Sequence, residues 1–279
     1  MALVNMVDML SRAKDKGYGV GAFDFIDIKT LEGIIEAAEE ENSPVILAVP
    51  ERLLGIIDMK SLTRAALAYI ECTDIPVALH LDHGKSFDNI ILAVKYGFSS
   101  VMYDGSSLPM EENIKNTREI VRIARAAGIS VEGELGYVGR NINAETLDSD
   151  FFTKPEEAKR YVEETGVDAL AVSYGSVHGM YIGKPHLDFE RLRAIKNTVD
   201  VPLVLHGGSG LSDDDFITSI KNGICKVNIF TEISVRGMDR LRNELKKDQE
   251  LALVLDGLKK ETRDVVKRYI ELFGSRDMA

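Results

Sequence analysis

The sequence predicts an α/β protein built as a (β/α)8 TIM barrel. Three features carry that prediction: eight short apolar runs, amphipathic segments between them, and polar residues gathered at one end of the runs. In chain order the runs are YGVGAFDF, PVILAV, PVALHLDH, SSVMYDG, SVEGELG, ALAVSYG, PLVLHGG and KVNIFT. Each is short and largely apolar, as buried strands are. The segments between them read as helices. In IDIKTLEGIIEAAEEEN and MEENIKNTREIVRIARAAG apolar residues recur every three to four positions, and the second ends at Gly128, a usual helix stop.

The first helical pattern, MALVNMVDMLSRAKDKG, carries Asp8 and Arg12 inside its apolar face, so it suits an amphipathic helix that caps the bottom of the barrel and not a secretion signal. After the eighth run, further helices from Thr231 onward are expected to extend past the barrel. No linker, repeat or composition break interrupts residues 1–279, which are read as one barrel domain.

Composition narrows the function. Hydrophobic residues make up 45% and charged residues 28%, ordinary values for a globular protein. The net charge of −11, with no dense Lys/Arg cluster, argues against a nucleic-acid partner. No apolar run is long enough to span a bilayer, so no membrane partner is expected. Cys72 and Cys225 stand far apart in no metal or redox spacing, which points to free thiols and a cytoplasmic location.

Side chains alternate faces along a strand, and in a barrel the fully apolar parity packs against the helices. In VALHLDH that parity is Val77, Leu79 and Leu81, which leaves Ala78, His80 and Asp82 pointing inward. The same split sets Glu132 and Glu134 against Val131 and Leu135, and His206 and Asn228 against their apolar neighbours. Asp24 and Asp104 follow Phe23 and Tyr103 in the same way. These polar residues fall at or near the C-terminal ends of their strands, the face on which barrels build active sites.

Five histidines are present, and three of them, His83, His178 and His206, stand at or just beyond the ends of runs three, six and seven. Three imidazoles converging on a barrel mouth match a catalytic zinc site with one open position; the alternative for each is a hydrogen-bonded structural role. His80 lies deeper and is expected to orient a neighbour, and His186 to lie on a loop. Asp82 leaves the strand in a different direction from His83, where it can move a proton without binding the metal; otherwise it fixes an imidazole. Run seven opens into HGGSG, ahead of a helix begun by Ser212, and run eight into NIFTE. These are the loops that commonly bind phosphate in barrels, although a tight turn also explains the glycines.

Taken together, LHLDHG, GSVHG and LHGGSG, with GAFDF, DGSSLPMEENI, VEGELG, KVNIFTE and ELFGS, resemble the class II, zinc-dependent ketose-bisphosphate aldolases. That family includes fructose- and tagatose-bisphosphate aldolases, and the likeness runs over nearly the whole chain. It implies a catalytic zinc on His83, His178 and His206, Asp82 as proton donor to the aldehyde oxygen, and a second or alternative metal position at Asp104 and Glu134. It further implies that the ketose phosphate rests on Gly179, Gly207, Gly208, Ser209, Asn228, Phe230 and Thr231, with Na+ or K+ as a possible monovalent cofactor. The implied partner is a sugar phosphate, and the implied assembly a homodimer or homotetramer.

Three departures stand out against the family pattern. Asp24, counted among the substrate-binding positions, replaces a usual Asn. Pro50 replaces Ser or Thr. Gly139-Arg140-Asn141-Ile142-Asn143 replaces a Gly-Gly-x-Glu-Asp loop, with Glu145 as a substitute for the glutamate if the loop is shifted. Arg140 and Lys184 offer cations for a second phosphate. The expected activity is cleavage of a ketose (bis)phosphate to dihydroxyacetone phosphate and an aldehyde that differs from the usual one. The alternatives are a metal-dependent sugar-phosphate epimerase and a binding homologue that has lost turnover. A Schiff-base aldolase is disfavoured, because Lys226, the one lysine within a run, opens run eight at the wrong end.

Overall fold

The computed structural model describes residues 2–136, 138, 149–179 and 185–279. Eight parallel strands close into a barrel in the order β1 to β8. They are β1 (Val20–Asp24), β2 (Val45–Pro50), β3 (Val77–Gly84), β4 (Ser100–Tyr103), β5 (Ser130–Leu135), β6 (Ala169–Val172), β7 (Leu203–Leu205) and β8 (Ile224–Ile229). Each overlaps one of the eight apolar runs, although β8 starts two residues before KVNIFT, so Lys226 lies within the strand and does not open it. The alternation of faces is as expected: Val77, Leu79, Leu81, Val131, Leu205, Val227 and Ile229 pack with the surrounding helices, and the opposite parity fills the barrel.

The helix α1 (Met6–Lys16) plugs the bottom. Asn5 caps it by accepting the Val7 N–H, and Gly17 ends it in the left-handed conformation. Its Met6, Met9, Leu10 and Ala13 pack on Val20, Ala22, Ile46, Ala78, Met102 and Val204 inside the barrel. Burying a Met or Leu in this way contributes about 1.5–3 kcal/mol each. The Met6 N–H also donates to Ser130 Oγ at 3.0 Å, which seats the helix end on β5.

The barrel is wrapped by α2 (Ile28–Glu40), α3 (Met59–Glu71), α4 (Phe87–Tyr96), α5 (Met110–Ala126), α6 (Pro155–Thr165), α7 (Phe189–Lys196) and α8 (Asp213–Lys221). Ser212 opens α8 through a capping box with Asp215. Two helices follow β8, α9 (Thr231–Glu244) and α10 (Leu251–Phe273). The second is more than an extension. Its Val265, Val266, Tyr269, Ile270 and Phe273 belong to the same buried core as Leu31 and Phe216, so α10 closes the helical layer beside α2. Among the described residues no helix is long and apolar enough to cross a membrane.

Candidate active site

At the C-terminal mouth of the barrel lies a cavity of about 380 Å³. Asp24, Asp82, His83, Asp104, Glu134, His178, Gly179, His206, Gly207, Gly208, Ser209, Asn228, Phe230 and Thr231 all line it. These are all the expected site residues except Lys184, which lies outside the described residues, as do Arg140, Ile142 and Glu145.

Strand alternation alone would turn His83 out toward the helices with Leu81. The chain avoids that by a register break between Leu81 and Gly84, with His83 at φ 50°. A left-handed residue here swings the imidazole back over the mouth, at the small cost such a backbone carries outside glycine. Gly84 is needed beside it, because a Cβ there would come within 2.5 Å of the Met102 carbonyl oxygen. Asp82 and His83 therefore share the cavity although they are consecutive, with Asp82 Oδ2 4.0 Å from His83 Nε2.

His178 stands in the loop after β6 and His206 just beyond β7. Ring centroids lie 4.7 Å apart for His83 and His178, and 4.5 Å for His83 and His206. One donor nitrogen from each of the three falls within 4.8 Å of the others, the spacing of a group able to hold a metal ion. The outer nitrogens are committed elsewhere. His83 Nδ1 bonds Asp104 Oδ2 at 3.1 Å, His178 Nδ1 donates to the Val138 carbonyl at 3.2 Å, and His206 Nε2 bonds Glu132 Oε1 at 2.7 Å. Such partners fix ring orientation and tautomer, and leave His83 Nε2, His178 Nε2 and His206 Nδ1 for a common ligand. His83 also forms a second group with Asp104 and Glu134 that can hold a cation.

The electrostatics follow the same layout. Burial disfavours charge on His83, but Asp82, the bond to Asp104 and the field of Glu134 together push its pKa up to about 10. An imidazolium can donate from both nitrogens, which suits the 3.0 Å contact between His83 Nε2 and His178 Nε2. Burial, then His83 and Lys226, hold His206 well below the usual imidazole range, so it is neutral and keeps a lone pair. Burial, then Asp104, push Glu134 up to about 8.

Burial, then the neighbouring Asp82, also lift the Asp24 carboxyl well above its usual range. The same two causes disfavour a second negative charge beside Asp82, the direction in which an uncharged asparagine would also act. Asp82 itself is oriented by Asn228, whose Nδ2 donates to Oδ1 at 2.7 Å. Pro50 is the last residue of β2 and lies in register beside Asp82.

One layer below the mouth is a feature that the sequence reading did not foresee. Glu132 points into the barrel beside His80, and Lys226 Nζ reaches its Oε2 at 2.7 Å, with both side chains fully buried. Lys226 is thereby spent on an ion pair. His80 does orient a neighbour: its Nδ1 bonds Ser100 Oγ at 2.7 Å. His186 lies on a loop and is exposed. Lys226 has the same inward parity as Asn228, and that parity was the signal available for its role.

On the far wall the loop after β7 turns at Gly207, φ +70°. A Cβ there would meet the Val177 backbone at 2.5 Å, so only glycine lets the two loops approach. Ser209 Oγ accepts the Glu232 N–H at 3.3 Å, tying this loop to the first turn of α9. Phe230 supplies no side-chain cap to that helix.

Residues 4–278 match the family described as fructose-bisphosphate aldolase class-II. The chain belongs to the class II fructose-bisphosphate aldolase family. It is an aldolase, an aldehyde-lyase. A fructose-bisphosphate aldolase of Staphylococcus aureus (strain Mu50) is 38% identical over 100% of both chains. The 6-phospho-5-dehydro-2-deoxy-D-gluconate aldolase of Bacillus licheniformis is 40% identical over 100% of this chain and 97% of its own. The crystal structure of the YdjI aldolase from Escherichia coli K12 superposes with a TM-score of 0.91 at 35% identity, over 99% of each chain.

Proposed function

We propose that this aldolase makes and breaks the C–C bond of a ketose (bis)phosphate, releasing dihydroxyacetone phosphate and an aldehyde, with zinc held by His83, His178 and His206. The observation that carries the reading is the convergence of three imidazole donors beside a carboxylate fixed by Asn228. An all-imidazole set with its outer nitrogens occupied suits zinc, which when bound supplies Lewis-acid polarisation of the substrate ketone. Asp104 and Glu134 offer a second cation position with His83. A monovalent Na+ or K+ near the substrate phosphate belongs to the same reading.

The chain's own groups do the rest. Gly207, Gly208, Ser209, Asn228 and Thr231, with the start of α9, receive the phosphate of the dihydroxyacetone half, because backbone N–H groups at a helix N-terminus favour an anion. Gly179 and Phe230 also line the cavity. Asp82 then stands at the reacting oxygen. In cleavage its carboxylate takes the hydroxyl proton, and in condensation it returns that proton to the aldehyde oxygen. Asn228 holds Oδ1, leaving Oδ2 for this transfer.

The test is a panel of ketose 1-phosphates and 1,6-bisphosphates, including fructose and tagatose bisphosphates, with triose phosphate release followed. Release from at least one of them is expected. Epimerised product without cleavage would contradict the proposal and favour the epimerase alternative.

Two further outcomes follow from the geometry. His83 is protonated in the metal-free protein up to about pH 10, so a metal entering at Nε2 must displace that proton. Apparent zinc affinity should therefore rise about tenfold per pH unit below that point, with about one proton released per zinc. Titration calorimetry in buffers of different ionisation enthalpy measures the release, and pH-independent binding would contradict it. The second concerns Lys226→Met. It leaves the Glu132 carboxylate buried without its cation and slackens the hold on His206. Zinc affinity should fall on the order of 10- to 100-fold, read by competition with a chromogenic chelator. Unchanged affinity would mean that the ion pair serves packing alone.

A further inference from the structure

The mouth of the cavity carries a guanidinium that forms no ion pair with a carboxylate among the described residues, although its field reaches the buried Asp24. Arg52 sits in the short 3-10 turn Glu51–Leu53 after β2, lines the cavity, and lies with Cζ 4.8 Å from the centre of the Phe230 ring. Its natural counter-ion would be Glu51, but that carboxylate is taken. Glu51 Oε2 accepts the Lys85 N–H at 2.7 Å, and Oε1 accepts the Ser86 N–H at 3.0 Å and the Asn89 side-chain N–H at 2.9 Å. These bonds staple the turn to the loop after β3, so Arg52 has a fixed base and a flat ring to lie on. The other nearby cation, Lys85, faces Asp104 at 3.5 Å.

The location of Arg52 decides what it can meet. The phosphate end of the substrate is assigned to the loops after β7 and β8, and the reacting carbons to the space between Asp82 and the three histidines. The wall left for the rest of the substrate passes β1 and β2, where Arg52 stands two residues beyond Pro50 with its guanidinium reaching across to Phe230. We propose that Arg52 is a specificity-determining residue that receives an anionic group, phosphate or carboxylate, at the far end of the aldehyde half. This rests on the aldolase reading above. A guanidinium stacked on an aromatic ring keeps its N–H edge free for a two-pronged bond to such an anion, and loses little freedom in making it. A neutral aldehyde leaves that edge in water.

The experiment is aldol condensation by the zinc-loaded wild type and by Arg52→Ala and Arg52→Gln. Dihydroxyacetone phosphate is paired in turn with glyceraldehyde 3-phosphate, succinic semialdehyde and glyceraldehyde, which carry a phosphate, a carboxylate and no charge. In parallel, exchange of the methylene proton of dihydroxyacetone phosphate with solvent is measured, since it needs no aldehyde. For whichever anion the wild type prefers, kcat/KM should fall on the order of 10- to 100-fold in both variants. Glyceraldehyde turnover and proton exchange should stay close to wild type. An equal fall for all three aldehydes, no fall for any, or a matching loss of proton exchange would overturn the role of Arg52 while leaving the aldolase proposal in place. A wild type that condenses no aldehyde would overturn both.

Discussion

Stripping the metal from this aldolase should abolish turnover, and adding back zinc should restore it. The three histidines have no other evident purpose at the mouth: each has its outer nitrogen bound to protein and its inner nitrogen aimed at the common centre. Two of those inner nitrogens, His83 Nε2 and His178 Nε2, lie only 3.0 Å apart, close enough to share one ligand. Polarisation by a bound metal is worth several kcal/mol of barrier, so the loss should be on the order of 10³-fold or more. Dialysis against a chelator, followed by zinc titration with triose phosphate release as readout, measures it. Full activity in the metal-free protein would contradict the site assignment.

The second large effect is expected from Asp82→Ala. Asp82 is buried, is held by Asn228 at 2.7 Å, and accepts no hydrogen bond from an imidazole, so its free oxygen faces the cavity. Removing it should keep zinc bound and cost on the order of 10²- to 10⁴-fold in kcat, the usual worth of a positioned acid–base group. Zinc content and kcat should be measured on the same preparation. If Asp82→Ala instead lost its metal but turned over normally once saturated, the residue would serve the imidazoles and not the substrate.

The barrel was legible in the sequence because its two periods are clean. Residues such as Val77, Leu79 and Leu81 declare the helix-facing side of β3 by alternation alone, and the inward side then follows. The meeting of Asp82 with His83 was not legible in the same way. Alternation sends consecutive residues to opposite faces, and only the left-handed turn at His83 and the register break before Gly84 bring both into the cavity. Backbone strain of that kind has no compositional mark.

The Lys226–Glu132 pair was hidden for another reason. Its partners sit on β5 and β8, which are not neighbours, so nothing in either strand announces a contact across the barrel. Arg52 belongs to a turn without periodicity, and its lack of an ion pair among the described residues depends on where the Glu51 carboxylate points. Asp24 shows the converse. By residue type it departs from the family, but burial beside Asp82 raises its pKa and so disfavours the charge that sets it apart from an amide.

The most direct test of the central assignment is an anomalous diffraction map at the zinc edge from crystals of the zinc-loaded enzyme. One strong peak is predicted at the barrel mouth, bound by His83 Nε2, His178 Nε2 and His206 Nδ1, with Asp82 beside it and outside its ligand set. A peak that lacked any of the three histidines, or no peak at the mouth in fully active enzyme, would contradict the account.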